Sequence, residues 1–569
     1  MPVTDDQPTE APSSPLPSGA AVTGTEPDDP AAGSGLGARQ GNGGRVRTRV
    51  PAIVWWMVAL HVTVLGAYSI LLPTFRAPDE AQHVDLAHFW STDFDYPAWD
   101  DRLVADGVRN AEGQLRPRSR SAHLTAQAAR PKDERASFEQ LDEVPIPNIR
   151  NQLAQHPPLY YIVAGTAERA SEVVIGDPDF VVETWFYRLV SIAMVAPLPY
   201  VIWRASRLLE LPEPVAVGAM LLPLAFPQYL HIGASVNNDN LQYLATWLMA
   251  PIVLRVARGD LAWRTMVLAG VLSGIGLLTK AFAFVIPAWM ACALLLVLLR
   301  RGRAALPGVV RAGLVYAVPA MALGGWWWVR NVVVYGSLMP SRYSDLVDHL
   351  PRGPFDPVDY LGRWASATVR RVWGDFGYFD THIPSTAVTI ATTIAAAALL
   401  AGVVGRDRVA GTKSGDRLLL LVPLPLLMAM QLQTALRTYL DTGQYAALQG
   451  RYWFGALAPA AILISLGAAK ALGWLWRWLP LVVLAAIVVM QGLALSTILG
   501  FYWGAPGSAI ADRLRAVVAW APVPGEFVGV AFAAGAIVGG AALVEIGRVV
   551  RRGGRRDVVQ TDPEPAPLS

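Results

Sequence analysis

The sequence predicts an all-α polytopic membrane protein, and three observations carry that prediction. Of its 569 residues, 53% are hydrophobic and only 16% charged, where a soluble domain would carry about 25%. Apolar runs of about 20 residues, enough to cross a hydrocarbon core of about 30 Å, recur along the chain. Clusters of Arg and Lys recur on alternate loops between those runs, the pattern that sets orientation in a bilayer.

Residues 1–44 are rich in Pro, Gly, Ala, Ser, Thr and Asp and hold almost no large apolar side chain. Such a segment cannot offset its ordering entropy and is expected to be a disordered cytoplasmic tail. The first apolar run begins too late for a signal peptide, so it reads as an uncleaved anchor.

Runs of spanning length lie at 51–73, 184–204, 213–231, 240–257, 262–279, 281–300, 309–330, 384–404, 417–436, 451–469, 473–500 and 525–547. Arg45, Arg47 and Arg49 precede the first. Arg204 and Arg207, then Arg255, Arg258 and Arg264, then Arg300, Arg301, Arg303 and Arg311 follow on alternate loops, as do Arg406, Arg408, Lys413 and Arg417, then Lys470 and Arg477, then Arg548, Arg551, Arg552, Arg555 and Arg556. This alternation puts both termini in the cytoplasm and predicts about 12 spans (11–13) over residues 45–550. The polar tail 551–569 is expected to be disordered.

Residues 157–175 have a helical pattern but contain Glu168, Arg169 and Glu172. A span there would move every later basic loop outside, so the segment reads as an interfacial helix on the outer surface. Two outer loops are long, 74–183 and 331–383, and loops of that length are usually functional. The middle of the first, charged with both signs, is expected to be mobile. The single cysteine, Cys292, excludes a disulfide framework, a zinc cluster or a CxxC redox site. No P-loop or dinucleotide fingerprint is present, and no nucleic-acid partner is expected.

Polar constellations gather on the predicted outer side. Asp79 and Glu80 follow Pro78 just beyond the first run; a carboxylate there can take a proton or hold a divalent cation, or can be an exposed acidic cap. His83, one helical turn on, would share a face with both, making Asp79, Glu80 and His83 a conceivable metal set. Asn237, Asn238, Asp239 and Asn240 open the fourth run. Helix capping explains one of these four; together they suit a sugar pocket. Lys280 sits in a wholly apolar turn, where a cation needs an anionic partner or must snorkel; a lipid phosphate is the natural partner. Trp326, Trp327 and Trp328 read as an aromatic belt, with Arg330 either a phosphate ligand or an interface anchor. Asp375 and Asp380, interleaved with aromatic residues, suit either a sugar surface or an interfacial helix. Gly450, Arg451 and Tyr452 open the tenth run, and an Arg entering from outside runs against the charge rule, which points to a specific partner such as phosphate.

The order of PDE-x-x-H (Pro78 to His83), HPPLYY, SVNNDN, LLTK, WWWVRN, FDTHIP and QGRYWF resembles the GT-C superfamily of polyprenyl-phosphate-sugar glycosyltransferases. More closely it resembles an uncharacterised bacterial family of multi-pass membrane proteins that carries PDE-x-x-H early and QGRY late. The resemblance spans roughly residues 50–500. It implies a plasma-membrane enzyme with its active site on the extracytoplasmic face. A polyprenyl-phosphate-linked sugar would be the donor and a cell-wall glycan, lipid or protein the acceptor, with inversion at the anomeric carbon. Carried over, Asp79 would be the base, supported by Glu80. Lys280, Arg451 and Arg330 would hold donor phosphate. His83, Asn238, Asp239, Asp375, Asp380 and Tyr452 would line the sugar or acceptor pocket. Some members of the superfamily use a divalent cation such as Mg or Mn. The rival readings are a transporter, against which the nearly uncharged mid-span regions speak, and a non-catalytic envelope assembly protein.

Overall fold

The computed structural model describes residues 50–115, 123–147, 149–340, 347, 349–350, 354–404 and 409–559; the tail expected over 1–44 lies outside them. A first helix, α1 (Ala52–Leu71), leads into a layer of short helices: α2 (Glu80–Asp93), α3 (Asp106–Leu115), α4 (Phe138–Asp142) and α5 (Leu159–Ile175). The bundle continues with α6 (Phe180–Val195), α7 (Leu198–Leu208), α8 (Glu213–Leu221), α9 (Pro227–Gly233), α10 (Asp239–Ala257), α11 (Trp263–Leu277), α12 (Val285–Arg301), α13 (Leu306–Ala320) and α14 (Trp326–Tyr335). The amphipathic α15 (Pro357–Trp373) precedes a short antiparallel hairpin, β1 (Asp375–Phe376) and β2 (Thr381–His382), in which Asp375 faces His382. Then come α16 (Ser385–Val403), α17 (Ser414–Leu421), α18 (Pro423–Thr442), α19 (Leu457–Leu472), α20 (Leu479–Tyr502), α21 (Ile510–Trp520) and α22 (Gly525–Val559).

All twelve apolar runs fall on helical segments. Among the described residues, eight segments are long and apolar enough to cross a membrane. The helical pair Glu213–Ala225 and Pro227–Gly233, bent by 74° at Phe226, would make a ninth. Pro227 causes the break, because its ring and missing N–H end the preceding helix. The segment Gly450–Tyr502 has 53 residues, far longer than one crossing at about 1.5 Å per residue. The turn Gly473–Trp478 divides it into the two runs read from the sequence. Helices α16 and α19 touch through Gly402 and Gly467, where a Cβ would collide with the backbone of Leu463 and Ala398 respectively; small residues allow such close approach.

Charge marks the two ends of the bundle. Asp239 begins α10, and Arg258 caps its other end. The 19 residues between rise roughly 28 Å, one hydrocarbon thickness. At the far end Arg258 and Arg300 both pair with the buried Asp416, each at 2.9 Å. These belong to the basic loops that the charge rule places inside.

The first long loop is more structured than its charge suggests. Phe75, Val84, Leu86, Val104, Val108 and Phe138 form a buried cluster with Tyr160, Tyr161 and Phe180. Helices α2 to α5 thus share a core with α6 and α10, and Phe138 ties the middle of the loop to it, while most of residues 123–147 stay at the surface; residues 116–122 lie outside the described residues. Helix α5 packs against α2 and α6 and buries Glu168. Two further expectations change. Only Trp326 is exposed as a belt residue, whereas Trp327 and Trp328 turn inward onto Leu277 and Ala281. At the C-terminus α22 continues to Val559, since extending an existing helix adds a hydrogen bond per residue without a new nucleus.

Candidate active site

Four segments deliver charged side chains to one end of the bundle. Asp79 precedes α2 with φ 63° and ψ 11°, a left-handed conformation that few non-glycine residues adopt and that Asp tolerates better than most. Its N–H donates to Tyr378 Oη at 3.2 Å, which fastens the turn to the β-hairpin. Asp239 opens α10 after the break at Phe226. Its N–H donates to Asn237 Oδ1 at 2.9 Å, so Asn237 supplies the turn and the Asp239 carboxylate is free for another task. Lys280 lies between α11 and α12. Arg451 sits in the 3-10 turn Gly450–Ala456, which packs on the C-terminal end of α15.

These four form one network. Arg451 Nη2 donates to Asp79 Oδ2 at 2.6 Å, and Nη1 donates to the Pro78 carbonyl at 3.2 Å. Arg451 Nε lies 3.5 Å from Asp239 Oδ2. Lys280 Nζ lies 2.7 Å from Asp239 Oδ1 and donates to Asn238 Oδ1 at 3.1 Å. Tyr452 lies beneath both cations, with its ring 5.3 Å from Lys280 Nζ, and stacks on Phe282. Two carboxylates balance two cations. Arg451, Asp239 and Lys280 are buried, but the Asp79 side chain keeps 24% of its exposure. Asp79 is therefore the end of the network that a substrate can reach.

Lys280 does not snorkel. The chain supplies its anionic partner, Asp239, and burial holds the ammonium below its usual pKa against the pull of that carboxylate. His83 and His156 lie close enough to feel Lys280 and Arg451. Burial, together with those two positive charges, pushes both imidazoles well below their usual range. Both are neutral at pH 7 and offer a lone pair rather than a charge.

Asp79, Glu80 and His83 do not converge. Because Asp79 leaves the helical path, the one-turn spacing no longer stacks it on His83. Glu80 turns inward to Arg188, which donates from Nε at 2.8 Å and Nη2 at 2.7 Å. His83 Nδ1 meets Tyr161 Oη at 3.0 Å. Among the described residues no three His, Cys, Asp or Glu side chains gather as a metal set. At Asp79 and Asp239 the place of a cation is taken by guanidinium and ammonium, so these residues do not fit a divalent ion.

The other sequence-selected residues make their contacts outside the network. Asp375 is fully buried and pairs with Arg370 and Arg371 at 3.1 and 3.4 Å. Asp380 Oδ2 accepts from the Tyr378 N–H at 3.3 Å. Arg330 donates to Asn331 and Tyr335 and lies over Trp327.

Several contributors escaped the sequence reading. Arg188 also donates to the carbonyls of Ser69, Leu72 and Pro73, closing the end of α1. An Arg inside an apolar run is itself a signal of function or of a buried partner. Tyr378 is a second contributor, and His156 and Tyr161, which belong to the HPPLYY string but carried no assigned role, also lie near the network, where only the tertiary fold brings them.

Residues 62–461 match a family described as "Predicted membrane protein (DUF2142)". Among solved structures, ArnT from Cupriavidus metallidurans bound to undecaprenyl phosphate is similar over 91% of this chain and 82% of its own, at 13% identity and a TM-score of 0.41. The apo state of that ArnT is similar over 75% and 80%, at 13% identity and a TM-score of 0.33. The oligosaccharyltransferase from Archaeoglobus fulgidus in its apo form is similar over 83% and 57%, at 10% identity and a TM-score of 0.39. No curated protein matches the chain.

Proposed function

The chain belongs to the DUF2142 family of predicted membrane proteins, and on that premise we propose that it is a GT-C-type glycosyltransferase. In this reading it moves a sugar from a polyprenyl-phosphate donor to an envelope acceptor at the extracytoplasmic face of a bacterial plasma membrane. One observation carries the reading: Asp79 is the accessible end of a buried, charge-balanced network that also holds Arg451, Asp239 and Lys280. The basic cluster around Asp416 at the opposite end of α10 supports the outer position of the network.

Asp79 acts as general base. The acceptor hydroxyl oxygen attacks the anomeric carbon, the carbon–oxygen bond to phosphate breaks, and the hydroxyl proton passes to Asp79. Attack from the face opposite the phosphate inverts the anomeric centre. The charge balance suits this step. Protonation of Asp79 changes the network from neutral to +1 as the phosphate leaving group goes from −1 to −2, so positive charge appears where negative charge develops. Arg451 and Lys280, buried behind Asp79, direct their positive charge toward that phosphate. Glu80 positions rather than reacts: its ion pair with Arg188 holds the turn that presents Asp79.

The test is transfer from a labelled polyprenyl-phosphate sugar by the full-length protein in nanodiscs. Asp79→Asn keeps the shape and an acceptor for Arg451 but cannot take the proton. It should lower turnover by about 10²–10⁴-fold while leaving donor binding intact. Full turnover in that variant would remove the base assignment.

A further inference from the structure

An open groove of about 580 Å³, within the range of ligand pockets, lies beside the network between α15 and the segment that leads to Gly450. Asp359, Arg363, Ser366, Arg370 and Arg371 line one side, and Tyr445 and Leu448 the other. Its charge is unbalanced. Arg363 pairs with Asp359 at 2.8 Å, but the single Asp375 carboxylate serves both Arg370 and Arg371. Asp375 is fully buried, whereas Arg370 keeps 38% exposure. Asp359, half exposed, lines the groove beside Arg363, whereas the counter-charge of Arg370 is buried, so Arg370 is the guanidinium that the groove presents without a facing carboxylate. Arg370 uses only Nε on Asp375; its two terminal nitrogens have no hydrogen-bond partner among the described residues. The Arg363 guanidinium lies 5.6 Å from the centre of the Tyr445 ring, which forms the facing wall.

The groove adjoins the reaction centre. Arg371 Nη1 donates to the Leu448 carbonyl at 2.7 Å, and its guanidinium lies over Phe379 at 3.7 Å. Gly450 abuts the Arg371 carbonyl, and the next residue is Arg451. On the other side of Asp375, Tyr378 holds the Asp79 backbone.

We infer that this groove binds an acidic glycan acceptor, with Arg363 and Arg370 forking onto its carboxylates or phosphates and Tyr445 as the wall beside it. Guanidinium is the side chain whose geometry fits those planar or tetrahedral anions with paired hydrogen bonds. The proposal rests on the glycosyltransferase reading and names the acceptor class for it. A lipid headgroup is the competing occupant. The unpaired terminal nitrogens of Arg370 and the groove's continuity with the turn that carries Arg451 favour the glycan.

The test measures binding rather than transfer. Full-length protein in neutral phosphatidylcholine nanodiscs is titrated calorimetrically with trigalacturonate and with its carboxyl-reduced neutral counterpart. The acidic trisaccharide should bind and the neutral one should not. The double variant Arg363→Gln/Arg370→Gln should weaken acidic binding by at least about tenfold, while Arg363→Lys/Arg370→Lys, which keeps the charge, retains part of it. Equal binding of both sugars, or no change in the Gln variant, overturns the proposal. Phosphatidylglycerol nanodiscs form the second arm: loss of acidic-sugar binding there, restored by neutral lipid, would assign the groove to headgroups and overturn it too. Asp79→Asn should bind the acidic trisaccharide normally, so failure of the catalytic reading and failure of this one are read separately.

Discussion

Arg451 Nη2 and Asp79 Oδ2 lie 2.6 Å apart across 372 residues of chain. The contact joins the two strings that stand near the start and the end of the resemblance, and it places one guanidinium between two carboxylates. Removing it should expose how much of the site it holds. Arg451→Gln leaves Asp79 and Asp239 with Lys280 as their only cation, and breaking a buried ion pair from one side costs about 3–5 kcal/mol. Thermal unfolding in detergent should show a loss of that size, with Arg451→Lys intermediate because an ammonium cannot fork to Asp79 and Pro78 together. A change near zero would mean that water, not Arg451, neutralises the two acids.

Glu80 and Arg188 make a second buried pair, with a different expected signature. Arg188→Met strands the Glu80 charge, and Glu80→Leu strands Arg188, so each single variant should lose about 3–5 kcal/mol. The double variant removes both charges and should be less destabilised than the sum of the singles. Denaturant unfolding of the three variants measures the coupling. Additive losses would show that the pair does not act as a unit.

Much of this site was legible because polar residues interrupt apolar sequence. Lys280 in a largely apolar turn pointed to an anionic partner, and in the fold Asp239 stands in that place. Asp239 and Arg451 stood out in the same way. Glu80 and His83 were misplaced for a local reason: helical spacing assumes that Asp79 is helical, and its positive φ takes it out of the helix. Arg188 was hidden by averaging, since one cation barely changes the hydropathy of a 20-residue window. The core of the first long loop was masked by charge, yet Val104, Val108, Ala111 and Leu115 keep the spacing of one helical face. Arg371 and Asp375 stand at the i,i+4 spacing of an ion pair, a signal open to sequence reading that the aromatic residues around Asp375 masked.

Gly450 offers a steric test of the link between α15 and Arg451. A Cβ there would run into the Arg371 carbonyl and the Val372 nitrogen, both backbone atoms that cannot swing away. Gly450→Ala should push the turn Gly450–Ala456 off α15 at an overpacking cost of about 1–3 kcal/mol and draw Arg451 away from Asp79. Turnover should fall with it. Gly492→Ala, at a helical position with nothing within 4 Å, is the control and should change neither. Normal turnover in Gly450→Ala would show that the turn can move without disturbing the Arg451–Asp79 contact.

A titrating cluster behind the site sets a pH dependence of stability. His88 Nδ1 lies 2.8 Å from Glu183 Oε1, its Nε2 lies 3.6 Å from Glu139, and Tyr187 donates to the same Glu183 oxygen. Burial opposes the charge on His88, but the hydrogen bond and charge of Glu183, with Glu139 and Glu168 behind it, outweigh that and lift its pKa from 6.5 to about 9. Glu168 on α5 is raised from 4.5 to about 8, first by burial and then by the charges of Glu183 and Glu172. Both groups hold a proton in the fold that the unfolded chain releases. Each contribution is therefore complete below the unfolded pKa and is lost as pH rises to the folded one, over about 4.5–8 for Glu168 and 6.5–9 for His88. The melting temperature in detergent should fall across this range. His88→Gln should flatten the upper part of the curve, and Glu168→Gln the lower part. A wild-type protein equally stable at pH 6 and pH 9 would contradict the cluster's role, as would a His88→Gln variant with the same slope as wild type.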